Sequence, residues 1–138
     1  MSQRARISKP NRPLSVWIAT GGNLLLATWI LAWSFAGLQM SFPGMQVFSW
    51  AVLALGITIS SLLAWMGSRH ARNIMLGLVT IYLGFLLVGS VRSIFWAQNW
   101  WVSEEYAIRM TAYAVFAAAW LVANYWLLLG KRARTYYS

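Results

Sequence analysis

Acidic residues are nearly missing from this chain: Glu104 and Glu105 are the only 2 among 138 residues, set against 11 lysines and arginines. Charged residues of both signs come to 9%, where soluble globular chains carry roughly a quarter. A soluble fold of this length needs a charged and polar skin that so few side chains cannot supply. Cysteine is absent altogether, which excludes disulfides, thiolate metal sites, iron–sulfur clusters and dithiol redox chemistry on this chain. The one histidine, His70, has no second axial ligand for haem and no companions for a zinc site. It also has no nearby carboxylate to orient it as a base. No Walker A loop, HExxH helix, glycine-rich dinucleotide fingerprint or nucleophile elbow occurs. The expectation is a chain without autonomous catalytic activity, with no metal and no predicted cofactor; a bound lipid, quinone or pigment stays open.

What the chain has in excess is apolar: 60% of it is hydrophobic. Crossing roughly 30 Å of hydrocarbon at about 1.5 Å per residue takes about 20 residues. Four runs are long enough, at 14–37, 46–66, 73–97 and 105–129. Pro13 suits the start of the first and Gly67 the end of the second, while Ser103 and Gly130 bracket the fourth as N-cap and terminator. None of the runs alternates with period two, and backbone groups in lipid must be satisfied within the segment, so the spans are helices rather than barrel strands. The first run is too long for the core of a cleavable signal peptide and is followed by further spans. The predicted fold is all-α, a polytopic four-transmembrane-helix antiparallel bundle, flanked by a basic segment at 1–13 and a basic tail at 130–138.

Charge sets the expected orientation. Arg4, Arg6, Lys9, Arg12, Arg69, Arg72, Lys131, Arg132 and Arg134 all fall on one side, with no acidic residue among them. Arg92, Arg109, Glu104 and Glu105 fall on the other and cancel. The positive-inside rule therefore predicts both termini in the cytoplasm, with a bacterial inner membrane as the first expectation and an organelle inner membrane as the lesser one. A formal charge of +9 would otherwise raise nucleic-acid binding. Here topology accounts for the bases, so no nucleic-acid partner is expected and the basic face is read as a contact for anionic lipids or acidic protein.

Ten tryptophans mark the boundaries. Trp17, Trp65 and Trp126 fall near one set of helix ends, and Trp33, Trp50, Trp96, Trp100 and Trp101 near the other, as expected for interfacial anchors with an apolar ring and a polar nitrogen. Trp29 and Trp120 fall deeper. Gly56, Ser60 and Ala64 repeat every fourth residue and make a stripe of small side chains for close helix packing, within the bundle or against another copy. The connection of residues 67–72 is short enough to make the second and third helices antiparallel neighbours.

Two groups of polar residues stand out. Arg92 lies inside the third apolar run, and Glu104, Glu105 and Arg109 open the fourth, so the four are candidates for one outer-side cluster, either a structural clasp or a ligand site. Asn23 and Asn124 fall at similar depths in the first and fourth runs and are candidates for a hydrogen bond between those helices or to a partner. The leading functional reading is an accessory or assembly subunit held to other integral membrane subunits by helix packing. One alternative is a small oligomeric transporter or channel for an anion or a lipid-like substrate, an anion path running along Arg92 and Arg109. The other is a quinone- or lipid-binding subunit, to which Tyr82, Tyr106, Tyr113 and Trp120 would contribute.

Overall fold

A computed structural model of the chain describes residues 12–39, 44–99 and 103–137. The expected anchors Trp100 and Trp101 lie outside the described residues, as do most of the N-terminal bases. Four long helices are present: α1 (Leu14–Gln39), α2 (Gly44–Trp65), α3 (Arg69–Asn99) and α4 (Glu104–Leu129), followed by a short α5 (Lys131–Tyr136). Each long helix is apolar and long enough to cross a membrane.

The bundle runs up, down, up, down. Trp17 at the start of α1 packs edge-on against Trp65 at the end of α2, ring centroids 5.3 Å apart. Ser61 near the end of α2 donates to Met75 Sδ near the start of α3 at 3.1 Å, and Thr80 of α3 meets the Tyr125 hydroxyl of α4 at 3.0 Å. Asn23 of α1 reaches Asn124 of α4, which closes the ring of neighbours. Arg12, Arg69, Arg72, Lys131, Arg132 and Arg134 consequently share one end of the bundle, here the basic end.

The distribution of side chains is that of a membrane protein. Thr20, Asn23, Ser34, Ser60, Ser61, Ser90 and Asn124 are buried inside, while Leu25, Phe35, Phe48, Val88, Val122 and Trp126 are more than half exposed. In water so much contiguous apolar surface would drive aggregation; in hydrocarbon it costs nothing, and the polar groups must instead turn inward to one another. This chain is an integral membrane protein. Most of the interior hydroxyls bond back to the carbonyl four residues earlier, as Thr20 does to Val16, Ser34 to Ile30 and Ser60 to Gly56, so they occupy the core without leaving a donor open.

The Gly56–Ser60–Ala64 stripe is spent within the bundle: a Cβ on Gly56 would stand 3.0 Å from Leu78 Cδ1 of α3, and Ser60 and Ala64 are buried. The α2–α3 turn explains the glycine at its centre. Ser68 N–H donates to Leu63 O and Gly67 N–H to Ala64 O, the paired bonds of a left-handed helix ending, with Gly67 at φ 95°. Ser68 then caps α3 by accepting from Ala71 N–H. Gly67→Ala is expected to lower stability by about 1 kcal/mol, with Gly67→Asn costing less, in thermal unfolding of the detergent-solubilised protein. Equal stability of all three would mean that the turn does not use this conformation.

Helix boundaries fall within a few residues of the expected spans. α3 begins at Arg69 rather than residue 73, because Ser68 supplies a cap ahead of the basic residues. α2 begins at Gly44, so Met45 is helical rather than part of the connection. The tail is not a free basic strand: α5 folds back, Ala133 and Tyr137 are buried, and the Tyr136 hydroxyl donates to Trp65 O at 2.7 Å. That bond satisfies one of the carbonyls left open at the end of α2.

Candidate functional site

The two interior amides form more than a pair. Asn23 Nδ2 donates to Asn124 Oδ1 at 2.7 Å, Asn124 Nδ2 donates to Trp120 O at 2.9 Å, and Trp120 Nε1 donates to Asn23 Oδ1 at 3.1 Å. The three bonds close a circuit between α1 and α4 in which both amides are fully oriented; turning either one over would set two donors face to face. Neither amide has any solvent exposure. Trp120 was expected to pack at depth, but its part in this circuit is not visible in the spacing. Its indole reaches Asn23 only because residue 22 is glycine: a Cβ there would overlap Cζ2 and Cη2 of the Trp120 ring.

Beyond the circuit, toward the end opposite the bases, a cleft of about 860 Å³ opens along the bundle. One wall is α1 from Gly22 to Gly37, the facing wall α4 from Met110 to Trp120, and the floor comes from α2 and α3. α1 and α4 are the least tightly joined neighbours in the ring, so the opening lies on their side. Trp29 and Trp33 stack along the α1 rim, centroids 6.3 Å apart and nearly parallel, and both are more than half exposed. Trp50, expected as an interfacial anchor, instead packs edge-on against Tyr82 and Phe85 at 5.5 and 5.4 Å and so helps build the floor.

Two buried residues of this apolar cleft carry a hydroxyl without a partner among the described residues. Tyr82 and Ser90 are 8% and 3% exposed, both line the cavity, and neither side chain makes a hydrogen bond among the described residues. Eight residues separate them on one face of α3, about 12 Å along the helix. Hydroxyls that open into an apolar cleft without acceptors are costly in a low-dielectric setting, which makes them the donors that a ligand would use. Tyr113 also lines the cavity, whereas Tyr106, grouped with it in the sequence, does not.

The outer-side charges do not assemble as one cluster. Arg109 pairs with Glu105 at 2.9 Å, one helical turn apart on an exposed face of α4. Arg92 is exposed and has no carboxylate partner among the described residues, and Glu104 is exposed as well. The α3 and α4 ends lie side by side, but the charges sit on outward faces, where solvated or headgroup contacts serve each separately. Neither Arg92 nor Arg109 lines the cleft. His70 is exposed on the basic end, and the described residues hold no group of three metal-ligating side chains.

Of the remaining expected anchors, Trp96 and Trp126 present their rings outward. Trp17 is half exposed over Trp65, and Trp65 itself is clasped by the Arg12 guanidinium 4.0 Å above its ring. No protein-family model matches the chain, and neither the curated proteins nor the solved structures yield a match.

Proposed function

We propose that this chain is a membrane-embedded, non-catalytic binding subunit for an amphiphile, an isoprenoid quinone or an ester lipid, received from the bilayer through the gap between α1 and α4. The observation that carries this reading is the aromatic cleft with the open hydroxyls of Tyr82 and Ser90 on its floor. Its volume lies within the range of about 300–1,000 Å³ typical of small-molecule sites, and its character is theirs: apolar walls with a few convergent polar groups. A carbonyl oxygen of a quinone ring or an acyl ester would accept from one or the other hydroxyl, while the chain lies along Trp29, Trp33 and Phe116. The anion path, one form of the transport alternative, would run along Arg92 and Arg109, and neither lines the cavity.

The test is isolation in a mild detergent, with solvent extraction and mass spectrometry of everything that stays attached, protein and small molecule alike. One amphiphile retained in fixed proportion is expected. Ser90→Leu, which fills the floor and removes a donor, should lower that retention about tenfold with the helical content unchanged. Equal retention by Ser90→Leu and Tyr82→Phe would show that the cleft is not the site. Integral membrane proteins recovered with the chain would identify the complex it serves.

A further inference from the structure

The basic end holds a second cavity, and its electrostatics are unbalanced. About 350 Å³ in volume, it lies between the start of α3 and the returning tail and is lined by Arg69, Arg72, Leu129, Arg134 and Tyr137. Arg72 is only 7% exposed. Its Nε and Nη2 donate to the neutral Asn73 Oδ1 at 3.2 and 3.1 Å, and its guanidinium stands 4.9 Å from the centre of the Tyr137 ring. An amide oxygen and a ring face orient a cation without cancelling its charge. A buried guanidinium without a counter-charge is costly. The chain's two glutamates begin α4, at the opposite end of the bundle.

The described lining residues include no carboxylate. Tyr137 is 4% exposed, and its hydroxyl is buried, shielded from the open space, with no hydrogen-bond partner among the described residues. Burial, reinforced by Tyr136 and opposed by Arg72, pushes its phenol up to about 12, so it stays neutral at physiological pH and brings no negative charge to the arginines. Leu129 O, the acceptor on this wall, is already taken by Arg134 Nε at 2.9 Å. A cavity with three guanidiniums and no carboxylate among the described lining residues suits an oxyanion with several acceptor oxygens. The geometry points to a phosphate-class anion site, with Arg72 as its inner donor and Arg69 and Arg134 closing over it. At the membrane boundary that chemistry is supplied by an anionic phospholipid headgroup or by free phosphate. The small tail helix has its explanation here: by folding back it carries Arg134 and Tyr137 to the cavity.

The test uses the full chain in phosphate-free maltoside micelles, with a neutral tag after Ser138 to keep a terminal carboxylate out of the cavity. Dioleoyl phosphatidylglycerol and inorganic phosphate are titrated in separate arms. Native mass spectrometry reads retained lipid, and the thermal midpoint reads either probe. Saturable stabilisation by phosphatidylglycerol alone assigns the site to lipid; stabilisation by phosphate as well assigns it to the free anion too. In either case Arg72→Gln should weaken binding about tenfold, and Arg134→Gln, which lines the cavity from its exposed side, about fivefold. Arg132→Gln, an exposed base on the same short helix that does not line the cavity, should change it less than about twofold. No saturable effect of either probe would overturn the inference. So would an Arg132→Gln loss equal to that of Arg72→Gln, because the attraction would then belong to the basic surface as a whole.

Discussion

Gly22→Val is expected to destabilise the bundle by about 3 kcal/mol, near the upper end of what overpacking a fitted interior costs. The Trp120 indole lies against the α1 backbone where any Cβ would sit, and it cannot withdraw freely because its nitrogen is bonded to Asn23. Valine therefore either pushes α4 away from α1 or expels the indole, and expulsion leaves Asn23 Oδ1 without that donor. Gly22→Ala should follow the same direction at a smaller cost. In a Trp120→Leu background, whose side chain is shorter and branched, the penalty of Gly22→Ala should fall below about 0.5 kcal/mol. Reversible unfolding in mixed micelles, followed by circular dichroism, gives both numbers. A valine without effect would place the indole elsewhere.

Asn23→Leu should cost about 2 kcal/mol, more than a single interhelical hydrogen bond in a membrane protein, for which about 0.6 kcal/mol is the average. The difference arises because Asn23 both donates to Asn124 and accepts from Trp120, so leucine strands two buried groups at once. Asn124→Leu removes the acceptor of one bond and the donor of another, so it should cost a similar amount. The double substitution should cost clearly less than the two added together, with a coupling of about 1 kcal/mol. Strict additivity would mean that the two amides act separately. The circuit also forms the closed end of the cleft, since Gly22 and Trp120 line it. Loosening it should therefore lower amphiphile retention along with stability.

Much of this was legible before any coordinates, and the reasons are specific. Long acid-free apolar runs leave the backbone one way to satisfy itself in lipid, so the four helices and their order follow from residues 14–129 alone. Gly67 and Ser103 mark their helix ends by local conformation, which needs no tertiary partner. The similar depths of Asn23 and Asn124 were countable along two antiparallel helices. Rotation about a helix axis was not countable. In a helix that is apolar on every side, no pattern says which face looks inward. That is why Trp50 reads as an anchor yet packs against Tyr82, and why Arg92, Glu104 and Glu105 read as neighbours yet point outward.

The near-absence of acid in the sequence leaves Arg72 without a carboxylate partner among the described residues. Sequence by itself determined a four-helix membrane bundle with its bases gathered at one end, because hydropathy, helix length and charge are properties of the chain read in order. Tertiary structure alone decided which polar groups meet and which are left open. The three-bond circuit, the open hydroxyls of Tyr82 and Ser90, and the uncompensated Arg72 beside Tyr137 each depend on the angles and separations of helices distant in sequence. Those are set by how side chains interlock across the bundle, at Gly22 against Trp120 and Gly56 against Leu78, rather than by any local preference of the residues themselves.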